Sequence, residues 1–423
     1  MSYTKYLVKD LGVVITGKTP STKDPENFSN EIMFITPSDL KQGYILNTSE
    51  RYISQKGFSS ILSNTIDGWS VLVGCIGSDL GNIALSNRKC ATNQQINSIT
   101  KIKPNFNPLY IYYWFKQKKE FLMNIAGSTT TPIINKTSFE NIEISLPDIT
   151  EQNAVAKVLS CIDDKIALNN KINAELEQMA KTLYEYWFVQ FDFPDEKGRP
   201  YKSANGKMVY NEVLKREIPL GWEVKPLKRL IKHINTGLNP RDNFTLGNGN
   251  IKYITVKNIT ENNLLDFKNC DGIDEVARDK VHNRSDIKVG DILFASITPL
   301  GRCYLIENEP NDWDINESVF SIRPDITQIS SEYLLMCLTS EYFIKKASNS
   351  STGSIFTGIR IKSLEDMPTI VPPQNIIKQF TAQLKLLLKK KNICFKENIN
   401  LEEIRDFLLP LLMNGQVTVS SEH

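Results

Sequence analysis

Histidine is scarce in this chain, with only His233, His282 and His423 among 423 residues. A histidine-built metal site or a His-dependent catalytic triad therefore has little to draw on. The seven cysteines (75, 90, 161, 270, 303, 337, 394) are scattered and form no C-x-x-C pair, which argues against a zinc or disulfide framework. No run approaches the ~18–20 apolar residues that span a bilayer. The opening "MSYTKYLVKD" lacks the apolar segment of a secretory signal, so a cytoplasmic protein is expected. An excess of one charge is also missing: 50 Lys and Arg face 48 Asp and Glu, for a net charge of +2. That balance neither announces nor excludes a nucleic-acid partner, because local patches bind phosphate and averages do not. What remains is an ordinary globular composition, 41% hydrophobic and 23% charged, on a chain long enough for two or three domains.

The chain does contain a copy of itself. "YLVKDLGVVITGKTPS" (6–21) matches "WEVKPLKRLIKHINTGLNP" (222–240), and "IMFITPSDL" (32–40) matches "IKYITVKNI" (251–259). "SVLVGCIGSDLGNIAL" (70–85) matches "DILFASITPLGRCYLI" (291–306), and "TNQQINSI" (92–99) matches "INESVFSI" (315–322). "EISLPDITEQNAVAKVLSCID" (143–163) matches "PTIVPPQNIIKQFTAQLKLLL" (368–388). The offset drifts smoothly, from 216 at Val8 and Val224 to 225 at Pro147 and Pro372, with order kept throughout. This is a duplicated domain, and duplication predicts pseudo-two-fold symmetry. Short apolar runs such as "IMFIT", "SVLVGCI" and "DILFASI", split by Gly, Asn, Pro and Ser, read as strands of a mixed module. One helical pattern lies inside each unit, at 108–126 and 331–347.

Each unit ends in a longer helix. In the first, Val155, Leu159, Ile162, Ile166, Asn169, Asn173, Leu176, Ala180, Leu183 and Trp187 follow the alternating three- and four-residue spacing of a heptad seam. The copy gives Ile377, Phe380, Leu384, Leu387, Lys391, Cys394, Asn398, Leu401, Arg405 and Leu408. Both seams are apolar at the ends and polar near the middle, so antiparallel pairing would let the polar centres meet and fix the register. The first seam covers 32 residue steps, roughly 48 Å of helix and about one and a third turns of B-DNA. Such a rod is long enough to hold two modules over two half-sites.

Two motifs look catalytic and fail in context. "GVVITGKT" (12–19) is literally a G-x-x-x-x-G-K-T phosphate loop. It is followed by Pro20 and a polar stretch broken at Pro25, where a phosphate loop would open a helix, and the copy keeps Gly237 and Pro240 without the Lys-Thr pair. "NPLY" (107–110) is one residue from the N-P-P-Y of adenine methyltransferases. Asn107 falls opposite Ser330, both good helix N-caps, and Pro108 suits a first helical turn, so the motif reads as a helix start. Neither a P-loop NTPase nor a stand-alone methyltransferase finds further support, which leaves a two-module binding scaffold as the plainer alternative.

With these residues in view, the chain resembles the specificity subunit of type I restriction–modification enzymes over nearly its whole length. "GKTPSTKDPENFSNEIMFITPSDL" and "RYISQKG" resemble the start of that family's target-recognition domain. "YEYWFVQFDFP" and "GRPYKSANGKMVYNEVLKREIPLGWEVKPL" resemble its central conserved region and the entry to the second domain, and "FLLPLLMNGQV" resembles its C-terminal conserved helix. The first unit departs from the pattern by lacking the "IPLGW" lead-in of the second.

The resemblance implies an α+β fold of two pseudo-symmetric mixed α/β target-recognition domains joined by two long antiparallel helices that form a coiled coil. The expected boundaries are 1–149 for the first domain, 150–192 for the central conserved helix and 193–217 for a linker. Residues 218–372 follow as the second domain, 373–416 as the C-terminal conserved helix and 417–423 as a disordered tail. Each domain would read one half of an interrupted double-stranded DNA site. The helices would set the gap and dock two methyltransferase subunits, and restriction/translocase subunits would join them. The chain itself would bind no cofactor and do no catalysis: S-adenosylmethionine and ATP would belong to partner subunits.

Base readout calls for polar side chains on loops that reach a groove. In the first unit the candidates are Thr16, Lys18, Thr19, Ser38, Ser78, Gln94, Ser128, Thr129, Thr130 and Lys136. In the second they are Asn239, Arg241, Lys257, Asn258, Ser296, Thr298, Arg302, Arg360 and Lys362, with the arginines favoured because guanidinium pairs bidentately with guanine. Any one of them is equally well read as a solvated loop residue. Lys389–Lys391 either face phosphates across the gap or are solvated, and Trp187 and Phe188 either pack the end of the helical pair or meet a methyltransferase subunit.

Overall fold

A computed structural model describes residues 3–127, 132–349 and 358–419. Its contacts divide the chain into one unit of Met1–Asn170 with Lys396–His423 and another of Lys171–Phe395. No helix among the described residues is long and apolar enough to cross a membrane.

In the first unit, a four-stranded antiparallel sheet runs Val13–Thr16, Ile96–Thr100, Ser70–Gly74, Ile83–Ser86. A second sheet runs Arg51–Ile53, Ile32–Ile35, Cys90–Thr92, Thr65–Ile66, and its central pair is parallel, with Phe34 opposite Ala91. Thr4–Leu7 pairs with Glu143–Leu146, and that ribbon leads into the central helix Ile149–Tyr184. The second unit repeats each part. Its four-stranded sheet runs Ile231–Thr236, Val319–Pro324, Ile292–Ala295, Cys303–Leu305. Its second sheet has Asp271–Ile273, Ile251–Ile254 and Trp313–Ile315, again with a parallel pair, and the ribbon Glu223–Pro226 with Pro368–Val371 leads into the C-terminal helix Gln374–Met413.

The apolar runs read as strands are buried because both faces of these short strands are covered: Val71, Leu72 and Val73 are all fully buried, as are Ile292, Leu293 and Phe294. Asn107 caps helix Pro108–Lys116 by accepting from the N–H groups of Leu109 and Tyr110, at 2.8 and 3.1 Å, and Ser330 accepts from Tyr333 N–H at 3.2 Å. The "NPLY" segment is a helix start.

The two long helices pair antiparallel within each unit. In the first, Arg405 donates to Asp163 at 2.8 Å, while Asn169 donates to Asn398 at 2.9 Å and to Glu397 at 2.8 Å. Asn398 in turn donates to Asn170 at 2.8 Å, so numbers fall along one helix as they rise along the other. In the second, Lys391 meets Glu177 at 3.2 Å and the Phe380 ring lies 5.8 Å from that of Trp187. Most seam positions are buried, including Val155, Leu159, Ile166, Leu176, Ala180, Ile377, Phe380 and Leu384. At two steps the burial moves over by a residue: Leu409 replaces Leu408, and Asp163, not Ile162, faces inward. It accepts from Tyr113 of the module at 2.8 Å as well as from Arg405. Burial, with the Asp163 charge beside it, holds the Tyr113 phenol well above its usual range.

Residues 193–217, read from the sequence as a linker, are folded. Met208–Asn211 pairs with Arg216–Pro219, and the Phe193 ring stacks on Tyr201 at 4.7 Å and lies 4.9 Å from Trp222. Of the tail 417–423, only 417–419 are among the described residues.

Asp163 joins both helices and the module with its side chain 4% exposed. Asp163→Ala leaves the Arg405 guanidinium with only the exposed Asp406 carboxylate and the Tyr113 hydroxyl without its acceptor, and a loss of about 3 kcal/mol is expected from urea unfolding. A loss below ~1 kcal/mol would show that other groups satisfy Arg405.

Candidate nucleic-acid interface

The strand ends bring five segments together in each unit. In the first, Gly17 N–H donates to Ile96 C=O at 3.1 Å and Thr19 donates to Gln94 at 2.9 Å, joining the loop after Val13–Thr16 to the loop before Ile96–Thr100. Asn93 N–H donates to Ile35 C=O at 3.0 Å, which adds the turn after Ile32–Ile35. Cys75 N–H donates to Gln95 C=O at 2.8 Å, and Gly77 N–H to Pro132 C=O at 3.0 Å, adding the last two segments.

The second unit makes the same connections. Gly237 N–H donates to Asn316 C=O (3.2 Å), Asn316 N–H to Ile254 C=O (2.8 Å), Ser296 N–H to Ser318 C=O (3.0 Å) and Ile359 N–H to Ser296 C=O (2.8 Å). The cause lies in the topology: the parallel pair in the second sheet and the outer strand of the first sheet all finish at this end.

The glycine in "GVVITGKT" has a steric reason. A Cβ at Gly17 would sit 2.1 Å from Asn93 O, and one at Gly237 would sit 1.7 Å from Ile315 O. The loop is glycine because another backbone crosses it. No helix opens at Lys18–Thr19; the next helical residues are the short turn Pro25–Asn27. The residues after the glycine change from Lys18 and Thr19 to Leu238 and Asn239, with Pro20 and Pro240 kept.

The candidates divide by what holds them. Lys18, Ser38, Ser78, Gln94, Lys136, Arg241, Lys257, Thr298, Arg360 and Lys362 are exposed. Thr16 and Asn239 are half-buried, and Thr16 donates to Asn97 at 2.6 Å. Ser128, Thr129 and Thr130 lie outside the described residues.

Other candidates are held by the fold itself. Asn258 is 4% exposed and accepts from the Thr255 N–H at 2.9 Å, so its amide is spent holding its own turn. Ser296 is equally buried and donates to Ser318 C=O at 2.7 Å. Arg302 pairs with Glu261 at 2.7 Å and donates to Ile259 C=O at 3.2 Å, bracing the 259–265 loop. Trp187 and Phe188, 4% and 2% exposed, are core residues: the Phe188 ring lies 4.7 Å from both Phe380 and Tyr333. Their turn instead exposes Tyr186 and Val189. Of the three lysines 389–391, Lys391 is buried and Lys389 and Lys390 are exposed.

Sequence reasoning also missed residues that build this end. Asn97 is buried, accepts from Thr16 and donates to Ile134 C=O at 3.2 Å, joining the strand to the 132–135 segment. A polar residue in the middle of the apolar run "INSITKI" was its available signal.

One framework used twice, presenting unlike polar loops from like positions, defines a duplicated recognition protein. The family described as "Type I restriction modification DNA specificity domain" matches residues 2–178 and again 219–403. The type I restriction enzyme MjaIX specificity subunit of Methanocaldococcus jannaschii is 30% identical over 97% of this chain and 93% of its own. The HindI specificity subunit of Haemophilus influenzae is 24% identical over 81% of this chain and 83% of its own. In fold, the crystal structure of a type I restriction–modification S subunit from M. genitalium matches with a TM-score of 0.58 at 17% identity, covering 97% of this chain and 96% of that one. The chain belongs to the type I restriction–modification DNA specificity family: it is a specificity subunit with two DNA specificity domains.

The bonding separates brace from surface. Arg302→Ala is expected to lower stability by about 1 kcal/mol, whereas Arg241→Ala and Arg360→Ala stay within ~0.5 kcal/mol of the parent. Thermal melts of the three variants check this, and equal melting points for all three would contradict it.

Proposed function

We propose that each module reads one part of a two-part DNA sequence, that the helical pair sets the distance between the parts, and that it docks two modification subunits. The methyl-transfer chemistry, with its S-adenosylmethionine, belongs to those subunits, and ATP-driven restriction and translocation to further ones. This chain supplies recognition and no catalytic group. The observation that carries the reading is the shared loop end: the same five segments meet in both units, with the glycines and strand ends kept and the exposed polar residues changed. Two readers of different sequences need a constant frame and variable contacts.

The docking part rests on the helices' outer flank. Leu168, Ile404 and Phe407 in the first unit, and Met179, Leu386 and Ile393 in the second, are between 49% and 72% exposed. Leu168 matches Ile393, and Met179 matches Ile404, at the same offset of 225 that relates Pro147 to Pro372. In the heptad they fall on the flank of the Lys165–Glu397 ion pair, away from the Asp163 and Asp164 contacts to the module. Large apolar side chains left in water at repeated positions mark a covered surface, and two equivalent patches fit two copies of one partner.

Two tests follow. In the complex with its modification subunits, Arg241→Ala or Arg360→Ala should weaken binding by about 1–3 kcal/mol and relax base preference in one part of the site only. Lys18→Ala should act on the other part alone. Binding that is insensitive to sequence and to salt would remove the reading. Separately, Leu168→Glu with Ile404→Glu should cost one modification subunit, and Met179→Glu with Ile393→Glu the other, as read by the mass of the purified complex. Retention of both copies by either double variant would contradict the docking assignment.

A further inference from the structure

A lysine in the middle of a helical seam has no ordinary packing reason to be there. Lys391 occupies a position whose repeat partner is the buried Ile166, and Lys391 itself is 5% exposed. Its ammonium touches two things. One is the Glu177 carboxylate on the central helix at 3.2 Å, which Lys181 also holds at 2.8 Å. The other is the main-chain carbonyl of Asn262, in the 259–265 loop of the second module. Burial pulls this ammonium below the usual lysine range, with Glu177 opposing the shift.

That loop is stiff. Ile259 bridges Leu265, Asn263 lies in the left-handed region at φ 54° and accepts from Cys303 N–H at 3.2 Å, and Arg302 holds both Ile259 and Glu261. Next along the helix, Asn392 donates to Glu307, at the end of the strand Cys303–Leu305. Lys391 and Glu177 line a small cavity of about 40 Å³ whose other walls include Leu176, Leu264, Tyr304 and Leu387, so the charge sits among mostly apolar side chains. One buried charge thus ties a rigid part of the module to both helices.

Stability does not explain that arrangement. Desolvating an ammonium costs more than its partners return in many proteins, and an apolar side chain of similar volume is often as stable or more so. What a point charge aimed at one carbonyl supplies is a single seating, where apolar packing alone tolerates several. The first unit has no lysine at the matching position and fastens its module through Tyr44 to Asp164 and through Tyr113, Asp163 and Arg405.

We infer that Lys391 is a positioning residue: by fastening the Asn262 carbonyl and Glu177, it fixes one seating of the second module on the helical pair and thereby the gap length the complex accepts. This rests on the reading of the chain as a two-part DNA reader. The test uses the full chain with its modification subunits and duplexes carrying both half-sites at the native gap or with one base pair added or removed. Lys391→Met should melt no lower than the parent and bind the native duplex within about threefold, while the native-to-altered preference falls on the order of tenfold. Unchanged gap preference in a folded Lys391→Met complex overturns the inference. So does a variant that fails to fold, because the lysine is given no net share of stability. A parent complex with no gap preference at all defeats the functional reading itself, before any variant is compared.

Discussion

The antiparallel seam between two long helices is the interaction on which the remainder depends. Each helix is too polar to stand alone and gains its stability by burying one stripe against the other. The stripe is not uniformly apolar. Near its middle Asn169 donates to Asn398, which donates in turn to Asn170, while Arg405 reaches Asp163 and Lys391 reaches Glu177. A slip by one heptad would leave each of these groups buried without a partner, at a cost of several kcal/mol. The apolar positions give adhesion and the polar ones allow a single register. Because each module is bonded to its part of this pair, through Tyr44 and Tyr113 in the first unit and through Asn262 and Glu307 in the second, the register decides where its loop end is presented.

The modules illustrate how a frame is kept while a surface is free to vary. The glycines at 17 and 237 are held by sterics alone, since the backbone at 92–93 or 315–316 occupies the space of a side chain. The prolines that follow stiffen the exit. Between these fixed points Lys18 faces water, while Thr19 bonds Gln94 and Leu238 packs against the second module's core, so different side chains occupy the same loop and the strands before it keep their pairing. The apparent nucleotide-binding signature arises where a sterically required glycine is followed by residues that differ between the two units.

Much of the fold was legible in the sequence for the same reason. The repeat, the strand runs and the seam are periodic, and periodic burial leaves a periodic trace. The antiparallel pairing followed from polar centres that needed each other. The candidate site was less legible because exposure is decided by residues distant in sequence. Asn258, Ser296 and Arg302 have the chemistry of base readers, yet the first two are buried and the third is occupied by Glu261. Trp187 and Phe188 stayed open between core packing and partner contact because nothing local shows that Phe380 and Tyr333 cover them. Lys391 fell both in the seam and in a run of three lysines open to phosphates or solvent; only the fold brings Asn262 to it. The exposed apolar flank was hidden differently: Leu168 and Ile393 lie off the seam, and a single exposed apolar residue means little until its repeat partner proves exposed too.

The central claim is that the modules read bases while the helices measure distance, and mapping of methylated sites tests it directly. One heptad added to each long helix, at positions matched across the seam, keeps the seam in phase and lengthens the rod by about 10 Å, close to three base pairs. Expressed with its modification subunits, such a variant should methylate a site with both parts unchanged and a gap longer by about three base pairs. Altered parts around an unchanged gap would contradict the account.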